Sequence, residues 1–232
     1  MLRSHLLLPA LLLLPCALWL ELAQVDLWWA DRLYAWSGGQ WSWRDAWLTA
    51  TLVHEGGRQL VASLALCLLL LALVSAWVTA LRPWRAALLS VLGTAVVGAL
   101  LVNIAKRLTH VDCPWDLLRY GGELPYVEVF EPHPRTFAYG QCFPAGHASA
   151  GYAWFGLYFL VRAYRPRWRW LALGAVLAVG GVFGLAQQVR GAHFLSHDVW
   201  SLLICWTTAT LVYRWMPYGP PAAAATLIGK DD

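Results

Sequence analysis

Gln59-Leu60-Val61-Ala62-Ser63-Leu64-Ala65-Leu66-Cys67-Leu68-Leu69-Leu70-Leu71-Ala72-Leu73-Val74-Ser75-Ala76-Trp77-Val78-Thr79-Ala80-Leu81 carries no charged side chain. As a helix rising ~1.5 Å per residue, this run matches the ~30 Å hydrocarbon core of a bilayer. Similar apolar runs recur at 6–23, 86–105, 148–163, 169–187 and 199–216. In a chain of 232 residues that is 59% hydrophobic and 13% charged, the pattern predicts an all-α polytopic membrane protein with six transmembrane helices. Residues 1–216 form one domain in this reading, and 217–232, with a Gly-Pro-Pro turn and an alanine run, form a mobile cytoplasmic tail.

The first apolar run follows Arg3 and His5, as a secretory signal would. No small-x-small cleavage site follows it, and Pro15 before Cys16 spoils a lipoprotein-type site, so the run is expected to stay as helix one. Between it and the next run, Trp28, Trp29, Trp36, Trp41, Trp43 and Trp47 alternate with Asp26, Asp31, Arg32, Arg44 and Asp45. Amphipathic aromatics favour the headgroup level, so this stretch is expected to hold one or two short interfacial helices broken at Gly38-Gly39. His54-Glu55, at its end, is expected to be a solvated loop pair.

The connections set an orientation. Residues 81–85 and 162–169 carry six arginines and no acid, which predicts that both are cytoplasmic, whereas eleven of the thirteen acidic residues fall on the other side. The net charge of +4 gives no nucleic-acid signal, because the basic residues sit in short loops without an aromatic-basic binding stretch.

Three polar blocks border the apolar runs on the face opposite the arginine loops. The first is Lys106-Arg107-Leu108-Thr109-His110-Val111-Asp112-Cys113-Pro114, the second Phe143-Pro144-Ala145-Gly146-His147, and the third Gln187-Gln188-Val189-Arg190-Gly191-Ala192-His193-Phe194-Leu195-Ser196-His197-Asp198. Together they resemble the signature of the type 2 phosphatidic acid phosphatase superfamily of membrane phosphatases. The usual form is lysine, six residues, arginine-proline; then Pro-Ser-Gly-His; then arginine, five residues, histidine, three residues, aspartate. Here Cys113 and Gln187 stand at the two arginine positions, Ala145 at the serine, and His197 at the aspartate, with Asp198 one residue late.

The resemblance implies a metal-free and cofactor-free lipid phosphatase at the periplasmic face of a bacterial inner membrane. His193 would attack phosphorus to form a phosphohistidine, and His147 would protonate the leaving oxygen and then activate water. Lys106 would hold phosphoryl oxygens, Arg190 would replace the missing guanidinium, and, with the serine hydroxyl lost at Ala145, the backbone N–H groups of Gly146 and His147 would bind the anion. Either His197 or Asp198 would orient His193. The expected partners are membrane lipids and a lipid phosphate, either an isoprenyl carrier, lipid A or a glycerophospholipid. A phosphotransferase and a catalytically impaired lipid-phosphate binder remain as alternatives. Cys113 and Cys142 bracket the outer loop between blocks that must converge on one phosphate, so a Cys113–Cys142 disulfide is expected there.

Overall fold

The computed structural model describes residues 3–128, 131, 140–216 and 218–219, and among these it contains helices and no β-strand. The helices are α1 (Arg3–Leu22), α2 (Val25–Trp36), α3 (Trp47–Val74), α4 (Arg85–Thr109), α5 (Gly146–Tyr152), α6 (Gly156–Tyr164), α7 (Arg169–Val189) and α8 (Leu195–Trp215). A single 3-10 turn, Ala153–Phe155, joins α5 to α6. Apart from Tyr218 and Gly219, the expected tail lies outside the described residues.

Among the described residues, four helical stretches are long and apolar enough to cross a membrane: Arg3–Leu22, Trp47–Val74, Thr79–Asp116 and Pro166–Val189. The α5–α6 rod and α8, expected as spans from their apolar runs, do not meet that test, and burial accounts for the difference. They form the centre of the bundle. α8 buries Ser196, His197, Asp198, Ser201, Cys205, Thr208 and Thr210 against its neighbours, while α5 and α6 bury Ser149, Gly151, Tyr152, Gly156 and Tyr158. A helix enclosed by other helices has no need of a leucine-rich outer face, whereas α3, whose leucines at 60, 64, 66, 70 and 73 are exposed, does.

Small residues let the central helices approach closely. A Cβ on Gly151 of α5 would lie 2.5 Å from the Gly180 Cα of α7, so the two backbones meet directly. Aromatic side chains of the core, among them Phe155, Tyr158, Phe159 and Trp206, pack against one another.

Two expectations for residues 24–58 change. Trp47–Gly56 is the π-helical start of α3 and not a separate interfacial helix, so His54 and Glu55 lie on a helix. α2 is also more than an anchor. It buries Leu27 and Ala30 with Leu117, Tyr120 and Phe194, and its Asp31 receives two bonds from Arg119, at 2.8 and 2.6 Å. Asp26, also in α2, accepts the Ser196 N–H at 2.9 Å and so satisfies one of the open donors at the start of α8.

Candidate active site

Chain direction brings one end of each central element to the same side. The last turn of α4, the first turn of α5, the end of α7 and the start of α8 meet there, opposite the ends that carry Arg82, Arg85, Arg162, Arg165, Arg167 and Arg169. α4 ends where His110 turns into the left-handed region, φ 56°, leaving Lys106 in its final turn. The Lys106 Nζ reaches over α5, 3.2 Å from where a Cβ on Gly146 would stand.

His147 is buried and gripped on three sides. Its ring stacks on Phe183 of α7 with centroids 4.4 Å apart, and it faces His54 of α3 at 4.6 Å. Its Nε2 lies 3.1 Å from the Val53 carbonyl oxygen. A carbonyl can only accept, so the Nε2 carries a proton and Nδ1 is the nitrogen left to exchange one.

His193 occupies the turn between α7 and α8 and is buried. Burial holds its imidazole neutral, well below the ordinary pKa of 6.5, and the nearby Lys106, His197 and His147 act in the same direction. The Cys142 backbone beside His193 works the other way. The His193 and His197 rings are 5.8 Å apart, and among the described residues Nδ1 of each is buried without a hydrogen-bond partner.

Asp198 turns elsewhere. α8 begins at Leu195, which places Asp198 against Gly184 of α7, where a Cβ would stand 2.1 Å from the carboxylate. Its Oδ2 accepts from Gln188 Nε2 at 2.5 Å, and Gln188 Oε1 in turn accepts from the Trp29 indole at 2.7 Å. The carboxylate therefore joins α2, α7 and α8, and it is the His197 ring that approaches His193.

Ala145 is also occupied by packing. Its side chain is fully buried, its N–H donates to the His197 carbonyl at 3.1 Å, and its carbonyl accepts from Ser201 at 2.9 Å. Arg190 lies half-buried at the end of α7, its Nε donating to the Arg44 carbonyl at 2.7 Å and its Nη1 to Gln187 Oε1 at 3.1 Å. Gln187 Nε2 lies 3.1 Å from His54 Nδ1. Sequence reading underrated His54 and did not single out Phe183; a histidine next to a glutamate at the polar margin of an apolar run was the available signal.

The structure pairs Cys113 with Cys142, Cα atoms 5.2 Å apart. The same junction is tied by Cys142 N–H to the Val111 carbonyl at 2.9 Å and by the Thr109 hydroxyl to the Phe143 carbonyl at 2.6 Å. Lys106, His147, His193 and His197 thus meet at one end of the bundle, with Arg190 and His54 beside His147. Among the described residues, no group of three His, Cys, Asp or Glu side chains is arranged to hold a metal ion.

Comparison with known proteins found no significant match among curated proteins and none among solved structures. The family model described as PAP2 superfamily matches residues 86–220, more than half of the chain and every helix from α4 to α8. The chain belongs to the PAP2 superfamily.

Proposed function

We propose that the protein is an integral membrane lipid phosphatase that releases phosphate from a phosphomonoester or pyrophosphate of a lipid through a phosphohistidine. The observation that carries this reading is the meeting of Lys106, His147 and His193, far apart in sequence, at one end of a bundle of apolar helices. In the first step a His193 nitrogen bonds to phosphorus as the bond to the lipid oxygen breaks. His147 gives that oxygen a proton from Nδ1 while Val53 keeps the ring in place. Water then attacks the phosphohistidine, His147 takes its proton, and inorganic phosphate leaves. Lys106 and Arg190 face the charge on the non-bridging oxygens. In this reading the Cys142 carbonyl takes the part of the family's aspartate, accepting a hydrogen bond from the His193 ring N–H so that the other nitrogen can attack.

A groove supports a long-chain lipid as substrate. A cavity of about 470 Å³ runs between α3, the α5–α6 rod and α7, lined by Leu60, Leu64, Leu68, Trp154, Val176 and Phe183. Phe183, which stacks on His147, also forms one end of this apolar lining, so a hydrocarbon tail in the groove would hold its phosphate beside the histidines. The α5–α6 rod and α8 would cross the bilayer as the fifth and sixth spans. The arginine-rich connections would then face the cytoplasm and the site would face the periplasm of a bacterial inner membrane.

The test is phosphate release by purified protein from a panel of isoprenyl, glycerolipid and lipid A phosphates. Release abolished by His193→Ala and by His147→Ala supports the reading. Wild-type protein that binds these lipids but releases nothing would instead mark a lipid-phosphate binder, the alternative raised by Cys113, Ala145 and Gln187. A product carrying a second phosphate would mark a transferase.

A further inference from the structure

The α3 helix lies outside the matched segment, yet it enters the site with a histidine that the phosphatase reading does not use. Arg190 can only donate, so the bond from its Nη1 fixes Gln187 Oε1 as the acceptor and leaves Gln187 Nε2 as the donor. That amide meets His54 Nδ1 at 3.1 Å, so Nδ1 is an acceptor and the proton of a neutral His54 must sit on Nε2. The chain Arg190 to Gln187 to His54 therefore selects one tautomer and fixes the ring in orientation.

Among the described residues, the N–H so presented has no hydrogen-bond partner. The Glu55 Oε1 stands 3.9 Å from His54 Nε2, beyond hydrogen-bond length, while Glu55 Oε2 is taken by Arg58 at 2.7 Å. Among the described residues, the charged and titratable groups around His54 are Glu55 and Arg58 on α3, Lys106 on α4, His147 on α5 and Arg190 at the end of α7. Three of these are cations and one is an acid already bound to Arg58. An anion is the ligand this surrounding favours.

We propose that His54 is a phosphate-binding residue whose Nε2–H donates to a phosphoryl oxygen beside His147, with Gln187 as its positioning residue. This assignment rests on the phosphate-handling reading of the site. It also explains what Gln187 does at a position where the family carries an arginine: it touches no phosphate itself but hands the contact to a neighbouring imidazole.

The variants His54→Phe and His54→Gln separate a donor from a packing role. Phenylalanine keeps a ring against His147 and loses the N–H, whereas glutamine keeps an N–H near the Nε2 position and loses the ring. The readouts are the KM and kcat for the best-hydrolysed lipid phosphate, the inhibition constant of orthovanadate, and the vanadate-induced rise in melting temperature. His54→Phe should raise the KM and the vanadate constant at least tenfold, and His54→Gln should stay within a few-fold of wild type. Gln187→Leu, which leaves the ring intact but frees its tautomer, should raise both constants several-fold. A His54→Phe protein equal to wild type, or His54→Gln as impaired as His54→Phe, overturns the assignment. The vanadate melting shift needs no turnover, so a wild type that binds vanadate but hydrolyses no lipid sinks the phosphatase reading and leaves the His54 comparison decisive.

Discussion

Replacing Cys113 and Cys142 together by serine tests how the outer loop is fastened. The two positions are 29 residues apart in sequence and 5.2 Å apart at Cα. In the chain-entropy treatment, a cross-link closing a loop of that length removes roughly 12 cal/mol/K from the unfolded chain, or about 3.6 kcal/mol at 25 °C. The double variant should therefore melt earlier in detergent, and reductant should lower the wild type to the same point without changing the variant. Activity should fall as well, because the Cys142 carbonyl faces the His193 ring. Intact-mass analysis after alkylation gives an independent reading: unreduced, unfolded wild type should take three labels, at Cys16, Cys67 and Cys205, and reduced protein five. Five labels without reductant refute the cross-link. A stability loss under about 1 kcal/mol in the double variant refutes the entropy argument instead.

Other perturbations have opposite or graded expectations. Gly180→Ala puts a methyl group 2.1 Å from the Tyr152 ring and should cost about 1 to 3 kcal/mol, while Gly181→Ala meets nothing within 4 Å and should be near neutral; equal melting points for the two would contradict the α5–α7 contact. The neutral state of buried His193 has a signed consequence. Its folded pKa lies below the unfolded value of 6.5, so its contribution to stability is complete above that pH and is lost as pH falls below it, by at most about 1.4 kcal/mol per unit. Thermal scans at pH 7.5 and 5.5 should show a larger acid loss in wild type than in His193→Gln. Arg190→Ala should lower turnover on the order of a hundredfold; unchanged turnover with Arg107 or Arg119 sensitive instead would move the clamp to the outer loop, whose Arg135 lies outside the described residues. Asp31→Asn should cost no more than about 1 kcal/mol, because its ion pair with Arg119 is half-exposed. Arg119 holds the Asp31 carboxyl below 3.8, so that small contribution is present above this pH and fades on further acidification.

The three polar blocks were legible because each sits where an apolar run stops, and a helix end is a position that sequence marks well. What the blocks do with their departures from the family was not legible. Asp198 follows His197 by one residue, and in a helix that single step turns the carboxylate toward Gly184 and Gln188, away from His193. Asp26 caps a helix whose Ser196 lies 170 positions later, and no local pattern carries that information. His54 escaped for a related reason: its significance depends on Gln187 and Arg190, which reach it only after α3 and α7 have packed.

The same dependence on packing explains why the α5–α6 rod and α8, the two elements closest to the site, are less apolar than the helices around them. A histidine site within a lipid-facing bundle needs walls of small and polar residues, so the helices that build it surrender leucines to Gly151, Ser149, Ser196, Ser201 and Thr208. Their polarity is tolerable only because other helices surround them, and those outer helices must then carry the leucine surplus. α3 shows both requirements in one element, with exposed leucines along its apolar length and His54 at its polar end. A helix that is exposed and apolar for most of its length can still bring a polar side chain to a cluster at its end. The end of such a helix, more than its middle, is therefore where a residue outside the family signature can acquire a role.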